Sequence, residues 1–260
     1  MDYEDRLLLY ADILGWSAEI RWGDASRCLR AVEQIHQHAE AYNERARREL
    51  EAMEGQVVQT EVGPILLETI NRMRLTIQFG AFSDHFVFSL PASFGSDILD
   101  IASKLIRDLL RLGFLTRGAV VLGPLYHQDN VIFGRALLDA VGIEEHESFY
   151  PRVLVSSAVI EHCSKLGHDP NYKTTLRDQT GRTVINPFAM PFDAPDGMIN
   201  MASFVRDNFF LPEIKGTINR QIEGLEKEDR HGHAEKWRYL LQFITGPVLE
   251  AAPKLRPFWQ

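Results

Sequence analysis

Two aspartates stand where an apolar strand does not ordinarily carry charge. Asp12 follows Leu7-Leu8-Leu9-Tyr10-Ala11 and precedes Ile13-Leu14-Gly15-Trp16; Asp84 follows Gly80-Ala81-Phe82-Ser83 and precedes His85-Phe86-Val87-Phe88. A carboxylate in a segment that otherwise reads as buried strand is costly unless it is paired or bound to a metal. Two of them on neighbouring strands bring two carboxylates to one magnesium-type site. Such a pair can hold one or two divalent cations against the phosphates of a nucleoside triphosphate. One cation lowers the pKa of an attacking hydroxyl, and the other neutralises the leaving pyrophosphate. The turn Leu14-Gly15-Trp16-Ser17 leads from strand into helix. Free backbone N–H groups favour phosphate there, and Gly15 permits close backbone approach. On spacing alone, ordinary buried or helix-capping aspartates remain the competing reading.

The elements that must position these residues read as α+β. Residues 7–14 form a buried strand and 17–53 a helix whose tail is charged and solvated, while 57–71 reads as loop or short irregular pieces. Residues 73–80 and 85–90 make a hairpin with Asp84 near its tip. An amphipathic helix over 94–112 ends at Gly113, followed by a strand over 115–122 that Gly123-Pro124 breaks. A hairpin over 126–133 turns at Asp129-Asn130; a helix over 134–146, a strand over 152–156 and a helix over 159–165 complete the series. This order predicts a ferredoxin-like core, an antiparallel sheet with helices on one face, over residues 1–165. Residues 166–260 read as an extension: a hairpin over 172–187, then two helical segments separated near residues 229–233, packed on the core or on a partner subunit.

The bulk properties exclude several classes. The 260 residues are 45% hydrophobic and 25% charged, which is ordinary for a globular protein, and the net charge of −8 argues against a broad grip on nucleic acid or an anionic membrane. Cys28 and Cys163 read as buried reduced thiols. Acidic Asp2, Glu4 and Asp5 argue against a signal peptide, and no apolar run approaches the ~20 residues that span a bilayer. A cytoplasmic location is expected. His231-Gly232-His233 reads as a solvated loop, Glu144-Glu145-His146-Glu147 as the polar end of a helix, and Phe204, Phe209 and Phe210 as core or dimer contacts. His85 can orient a carboxylate or simply pack in its strand. No Ser-His-Asp or Cys-His arrangement follows from spacing.

The segment Ala11-Asp12-Ile13-Leu14-Gly15-Trp16 resembles the first metal-binding strand and turn of class III nucleotidyl cyclase domains, and Asp84 is similar in placement to that family's second metal aspartate. Three further segments, 115–120, 133–140 and 150–156, resemble the divergent bacterial branch that includes the pyrimidine cyclases of Pycsar antiphage systems. The resemblance implies a fold, a homodimer with active sites at the subunit interface, and two Mn²⁺ or Mg²⁺ ions held by Asp12, the Ile13 carbonyl and Asp84. It also implies phosphate contacts from Leu14, Gly15 and Trp16. The implied reaction converts UTP to cyclic UMP, or CTP to cyclic CMP, for a separate cyclic-nucleotide-binding effector. Two departures stand out. The family's asparagine and arginine, four residues apart on one helix, fall near Leu138 and Gly142, so a substitute cation is needed. Arg117 is the first candidate, with Arg135 and Arg152 in reserve. Gln78, Phe79 and Gly80 occupy the stretch where a purine-reading lysine is expected, which turns the reading from purine toward pyrimidine. Tyr10 and Tyr42 are candidate base contacts, each read equally as core or surface tyrosine. A cyclase-like binding module without turnover is the rival class.

Overall fold

Alternation along one strand sets the layers of this protein. The computed structural model describes residues 3–52, 57–60, 63–66, 78–128, 131–167, 174–188 and 210–245. In β1 (Glu4–Leu14), Leu7, Leu9, Ala11 and Ile13 enter one apolar cluster, whereas Leu8 enters another with Tyr10 against it. Successive side chains of a strand point to opposite faces, so the two clusters lie on opposite sides of the sheet. The first is shared with α2 (Ala25–Ala52), α3 (Asp97–Arg111) and α5 (Ser157–Lys165), through Ile35, Leu105 and Val159 among others. The second is shared with α4 (Arg135–Glu147), through Ala136 and Ala140. Helices on one face describe α2, α3 and α5; α4 is the exception, because its alanines let it lie close against Leu8, Ala119 and Val121.

The sheet runs β4 (Gln78–Phe82), β5 (His85–Pro91), β1, β6 (Leu115–Gln128), β8 (Val153–Val155), β10 (Thr183–Ile185), β9 (Thr175–Arg177), with β7 (Val131–Gly134) paired to β6. All these pairs are antiparallel except β6 with β8, which the α4 crossover makes parallel. The spatial order β6-β1-β5-β4 is the ferredoxin-like arrangement of a split βαβ pair.

Several boundaries differ from the sequence expectation for local reasons. The helix expected over 17–53 is two, α1 (Trp16–Trp22) and α2, because Gly23 ends the first and the Asp24 carboxylate caps the second by accepting the Ser26 N–H at 2.9 Å. Residues within 57–71 form a small hairpin, β2 (Val57–Thr60) with β3 (Gly63–Leu66). Gly123-Pro124 does not end β6. On its second flank, pairing with β8 stops at Val120 and pairing with β7 starts at Leu125, so proline costs no ladder bond there. Gly113 (φ 82) closes α3 as expected, with Gly113 N–H bonded to Leu110 O and Phe114 N–H to Leu109 O. Residues 73–77, the turn at 129–130 and the start of the C-terminal helical region, 197–209, lie outside the described residues.

At one end of the sheet, α6 (Leu211–Lys227) and α7 (His231–Thr245) bury Ile214, Ile218, Trp237 and Leu240 against Leu110, Leu115, Leu154 and Val184. Phe210 joins this cluster, with Arg107 and Arg111 over its ring. Among the described residues no helix is long and apolar enough to cross a membrane.

Candidate metal centre

The central strand hands Asp12 to partners on both flanks. Asp12 pairs with His85 across the β1–β5 ladder and with Arg117 across the β1–β6 ladder. Asp12 shares the parity of Leu8 and Tyr10, so its carboxylate lies on the α4 side of the sheet. Asp84 arrives from the β4–β5 turn: Phe82 pairs with His85, which leaves Ser83 and Asp84 as a two-residue loop. Ser83 takes a left-handed conformation (φ 58), and the Asp84 carbonyl accepts the Ile13 N–H at 2.8 Å. That bond ties the turn to the main chain beside Asp12. Oxygens of Asp12 and Asp84 and a ring nitrogen of His85 thereby lie within 4.8 Å of one another. His85 Nδ1 is 3.1 Å from Asp84 Oδ1.

Arg117 completes the cluster. Its Nε donates to Asp12 Oδ2 at 3.0 Å, and it also ion-pairs with the Glu144 carboxylate. Glu144 is 3% exposed, and burial raises its pKa, with Asp12 and Glu145 adding to the rise against the pull of Arg117 and His85. The Tyr10 ring lies 5.6 Å from His85, and its hydroxyl pKa is pushed up to about 12, by burial first and then by Glu144, Asp12, Glu145 and Asp84. Asp12, Asp84 and Glu144 thus bring three carboxylates to a site that Arg117 faces. Hard oxygen donors with surplus negative charge suit Mg²⁺ or Mn²⁺, and the imidazole of His85 is a donor that Mn²⁺ takes more readily than Mg²⁺. The residues present fit a divalent cation.

The other candidates fall in different places. Ile13 has its side chain in the core, so only its main chain can serve the site. Leu14 packs toward α6 and α7. Gly15 (φ 83) has open space where a Cβ would sit. Trp16 is buried against Phe114, with ring centroids 5.6 Å apart, so its side chain is a core element and the stretch Leu14-Gly15-Trp16 offers a ligand its backbone. Arg135 is exposed and pairs with Asp139 along α4 at 3.6 Å. Arg152 is half-buried in an ion pair with buried Asp178, whose other oxygen accepts the N–H groups of Thr180 (2.8 Å) and Arg182 (3.0 Å). Neither reserve arginine reaches the carboxylates; one decorates a helix surface and the other pins the β9–β10 turn. Leu138 is 73% exposed on α4. The Tyr42 side chain lies outside the described residues. His231 pairs with Asp229 at 2.9 Å, both well exposed.

Glu144 is the residue that sequence reasoning missed. The run 144–147 is indeed a polar helix end at Glu145, His146 and Glu147, which are exposed, but Glu144 is buried. Its signal was spacing: Ala136, Ala140 and Glu144 recur every four residues, so Glu144 continues the stripe that faces the sheet.

No protein family model matches this chain, and no curated protein matches it. Solved structures similar to it include the adenylyl cyclase CyaB from P. aeruginosa, at 12% identity over 74% of this chain and 98% of that one, with a TM-score of 0.45. Another is the monomeric guanylyl cyclase domain of the RhoGC fusion protein from the aquatic fungus Blastocladiella emersonii, at 10% identity over 71% and 96%, with a TM-score of 0.44. A third is a bacterial light-regulated adenylyl cyclase, at 14% identity over 79% and 57%, with a TM-score of 0.39.

Proposed function

We propose that this protein is a metal-dependent nucleotidyl cyclase that converts UTP to 3′,5′-cyclic UMP and pyrophosphate. The observation that carries the reading is the meeting of Asp12, Asp84 and His85 within 4.8 Å, beside Arg117. Bound Mn²⁺ or Mg²⁺, two ions in this reading, supplies activation of the 3′-hydroxyl and charge neutralisation on the phosphates. Asp12, Asp84 and the Ile13 carbonyl hold the cations, and His85 orients the Asp84 carboxylate. Arg117 is the fixed positive charge that faces the α-phosphate as negative charge develops on it. Glu144 gives that guanidinium a second carboxylate partner, which keeps it at the site independently of Asp12.

The pyrimidine assignment rests on the sequence resemblance and on Gln78, Phe79 and Gly80 in the stretch where a purine-reading lysine is expected. Phe79 packs between His36 and Phe88, at 4.9 Å from each ring, and reads no base. A homodimer with active sites at the subunit interface belongs to the same proposal. Val131, Phe133 and Leu138 support it as exposed apolar side chains on β7 and α4. A role for the product as a messenger read by a separate effector in antiphage defence also belongs to the proposal.

The test is incubation of the protein with each of the four nucleoside triphosphates and Mn²⁺ or Mg²⁺, with products identified by mass. Cyclic UMP is expected; cyclic CMP overturns the base assignment, and no cyclic mononucleotide with any substrate overturns the enzyme reading. Asp12→Asn and Asp84→Asn should each abolish turnover with the melting temperature retained. Leu138 and Gly142, standing where the family carries asparagine and arginine, favour a second reading, a nucleotide-binding module without turnover. Metal-dependent UTP binding without pyrophosphate release would select it.

A further inference from the structure

The two C-terminal helices wall a second feature beside the candidate metal centre. Together with the β1–α1 turn and the start of α2 they enclose an open cleft of about 340 Å³. The cleft begins at Leu14 and Gly15, and three residues of chain span at most ~10 Å, so it opens within that distance of the Asp12 backbone. Arg27, Arg230, His233 and Lys236 line it, in a protein whose net charge is −8.

The acids on the same walls are engaged. The Glu19 carboxylate pairs with Arg27 and accepts the Asp24 N–H at 2.9 Å, and Glu228 lies 3.5 Å from Arg230. Lys236 makes no ion pair or hydrogen bond among the described residues, and Arg27 Nε is buried without a hydrogen-bond partner. The pKa of His233 is lowered by burial first, and then by Arg230 and Lys236. Cations held this close to one another lower the local cost of an anion.

The backbone is shaped to keep them there. Gly113 carries no side chain where a Cβ would meet Gln221 Nε2 at 3.0 Å and Arg27 Nη1 at 3.3 Å. At the α6–α7 turn Asp229 takes a left-handed conformation (φ 59), and the Arg230 N–H bonds Leu225 O at 2.8 Å, which fixes the point from which Arg230 leaves the turn.

We propose that this cleft is a subsite for linked phosphates, with Arg230 and Lys236 as the residues that bind them. It draws the C-terminal helices into the site as a phosphate clamp. The role of the bound group, the distal phosphates of the substrate or the departing pyrophosphate, rests on the cyclase reading; the binding itself does not.

The full chain is titrated calorimetrically with inorganic tripolyphosphate, with pyrophosphate and with UTP, each with and without Mn²⁺. Arg230→Gln/Lys236→Gln is expected to weaken tripolyphosphate binding by about tenfold or more, as loss of charge-assisted contacts does. Arg230→Lys/Lys236→Arg, which keeps both charges, should retain most of the affinity and so separates charge from folding. Asp12→Asn should leave metal-free tripolyphosphate binding in place. Equal binding by the wild type and the glutamine variant, or none by either, overturns the proposal. If tripolyphosphate binds through Arg230 and Lys236 while no cyclic product forms, the cyclase reading fails and the clamp stands. If cyclic UMP forms while the glutamine variant binds tripolyphosphate and pyrophosphate as the wild type does, the clamp fails and the cyclase reading stands. A stronger response to pyrophosphate than to UTP identifies the product as the occupant.

Discussion

One chemical change, glycine to alanine, should act with opposite sign at two positions of this protein. Gly118 lies in β6, one residue beyond Arg117 and opposite Ala11, the neighbour of Asp12. A Cβ there would fall 2.1 Å from Tyr10 O and 2.7 Å from Ala11 Cα, both main-chain atoms that no side-chain rotation can move. Carbon atoms in packed proteins sit ~3.5 Å or more apart, so β1 and β6 must separate by roughly 1 Å or shear past each other. Overpacking of a rigid neighbourhood costs about 1–3 kcal/mol, and a purely main-chain obstacle puts Gly118→Ala at the upper end. At roughly 2–4 °C per kcal/mol for a chain of this size, thermal unfolding should fall by about 6–12 °C. The same displacement separates Arg117 from Asp12, and under the proposed cyclase function a misplacement of about 1 Å there costs on the order of a hundredfold in rate. Gly142, inside α4, has nothing within 4 Å of its would-be Cβ. Gly142→Ala should therefore stabilise by about 0.5–1 kcal/mol, because alanine has less backbone entropy to lose in a helix. Paired thermal melts of the two variants measure both. If Gly118→Ala melts within a degree of the wild type, the tight contact between the strands that frame the site is wrong.

Further consequences can be read from buried or strained groups. His127, with Nδ1 2.8 Å from Ser89 Oγ, has its pKa pushed down from 6.5 to about 4 by burial first and then by Arg6. Between those pH values the unfolded chain takes a proton that the folded one does not, so stability should fall as pH drops from about 6.5 to about 4, by about 3 kcal/mol at most. Urea titrations should show His127→Gln losing that part of the slope; parallel profiles for variant and wild type would refute it. At the α6–α7 turn, Asp229→Gly should raise the melting temperature, since it removes a left-handed strain of about 1 kcal/mol at the cost of an exposed Asp229–His231 pair worth little. A lowered melting temperature would count against that account of the turn.

Much of the frame was legible because its signals are local. Runs of alternating or helical apolar spacing placed most strands and helices, and Asp12 and Asp84 were conspicuous as charges in apolar segments. What escaped depends on facts that spacing states weakly or not at all. Gly23-Asp24 reads as two polar residues in a helix until the glycine is recognised as one helix's end and the aspartate as the next one's cap. α4 lies on the face opposite the other helices because Ala136 and Ala140 permit close approach, and small residues leave little trace in a hydrophobic pattern. Glu144 was hidden by its acidic neighbours, though its place in the Ala136-Ala140 stripe was in the sequence. Arg230 and Lys236 look like solvated charges in any linear reading. Only the packing of α6 and α7 against β1 and β6 carries them to the turn after Asp12.

The two carboxylates sit at different depths of the molecule's resistance to opening. Asp12 belongs to a strand bonded on both flanks, so it can depart only if the centre of the sheet unravels. Asp84 belongs to a hairpin whose outer strand, β4, is the end of the sheet among the described residues, held inward through β5 and by the single Ile13–Asp84 main-chain bond. β5 itself is paired with β1 along its length, so opening of the Ser83-Asp84 turn and β4 is the smallest excursion that parts the pair. A cation gripping both would therefore fasten that turn to a tightly held centre, and its binding energy would be felt as protection from exchange at residues 78–84 more than along β5.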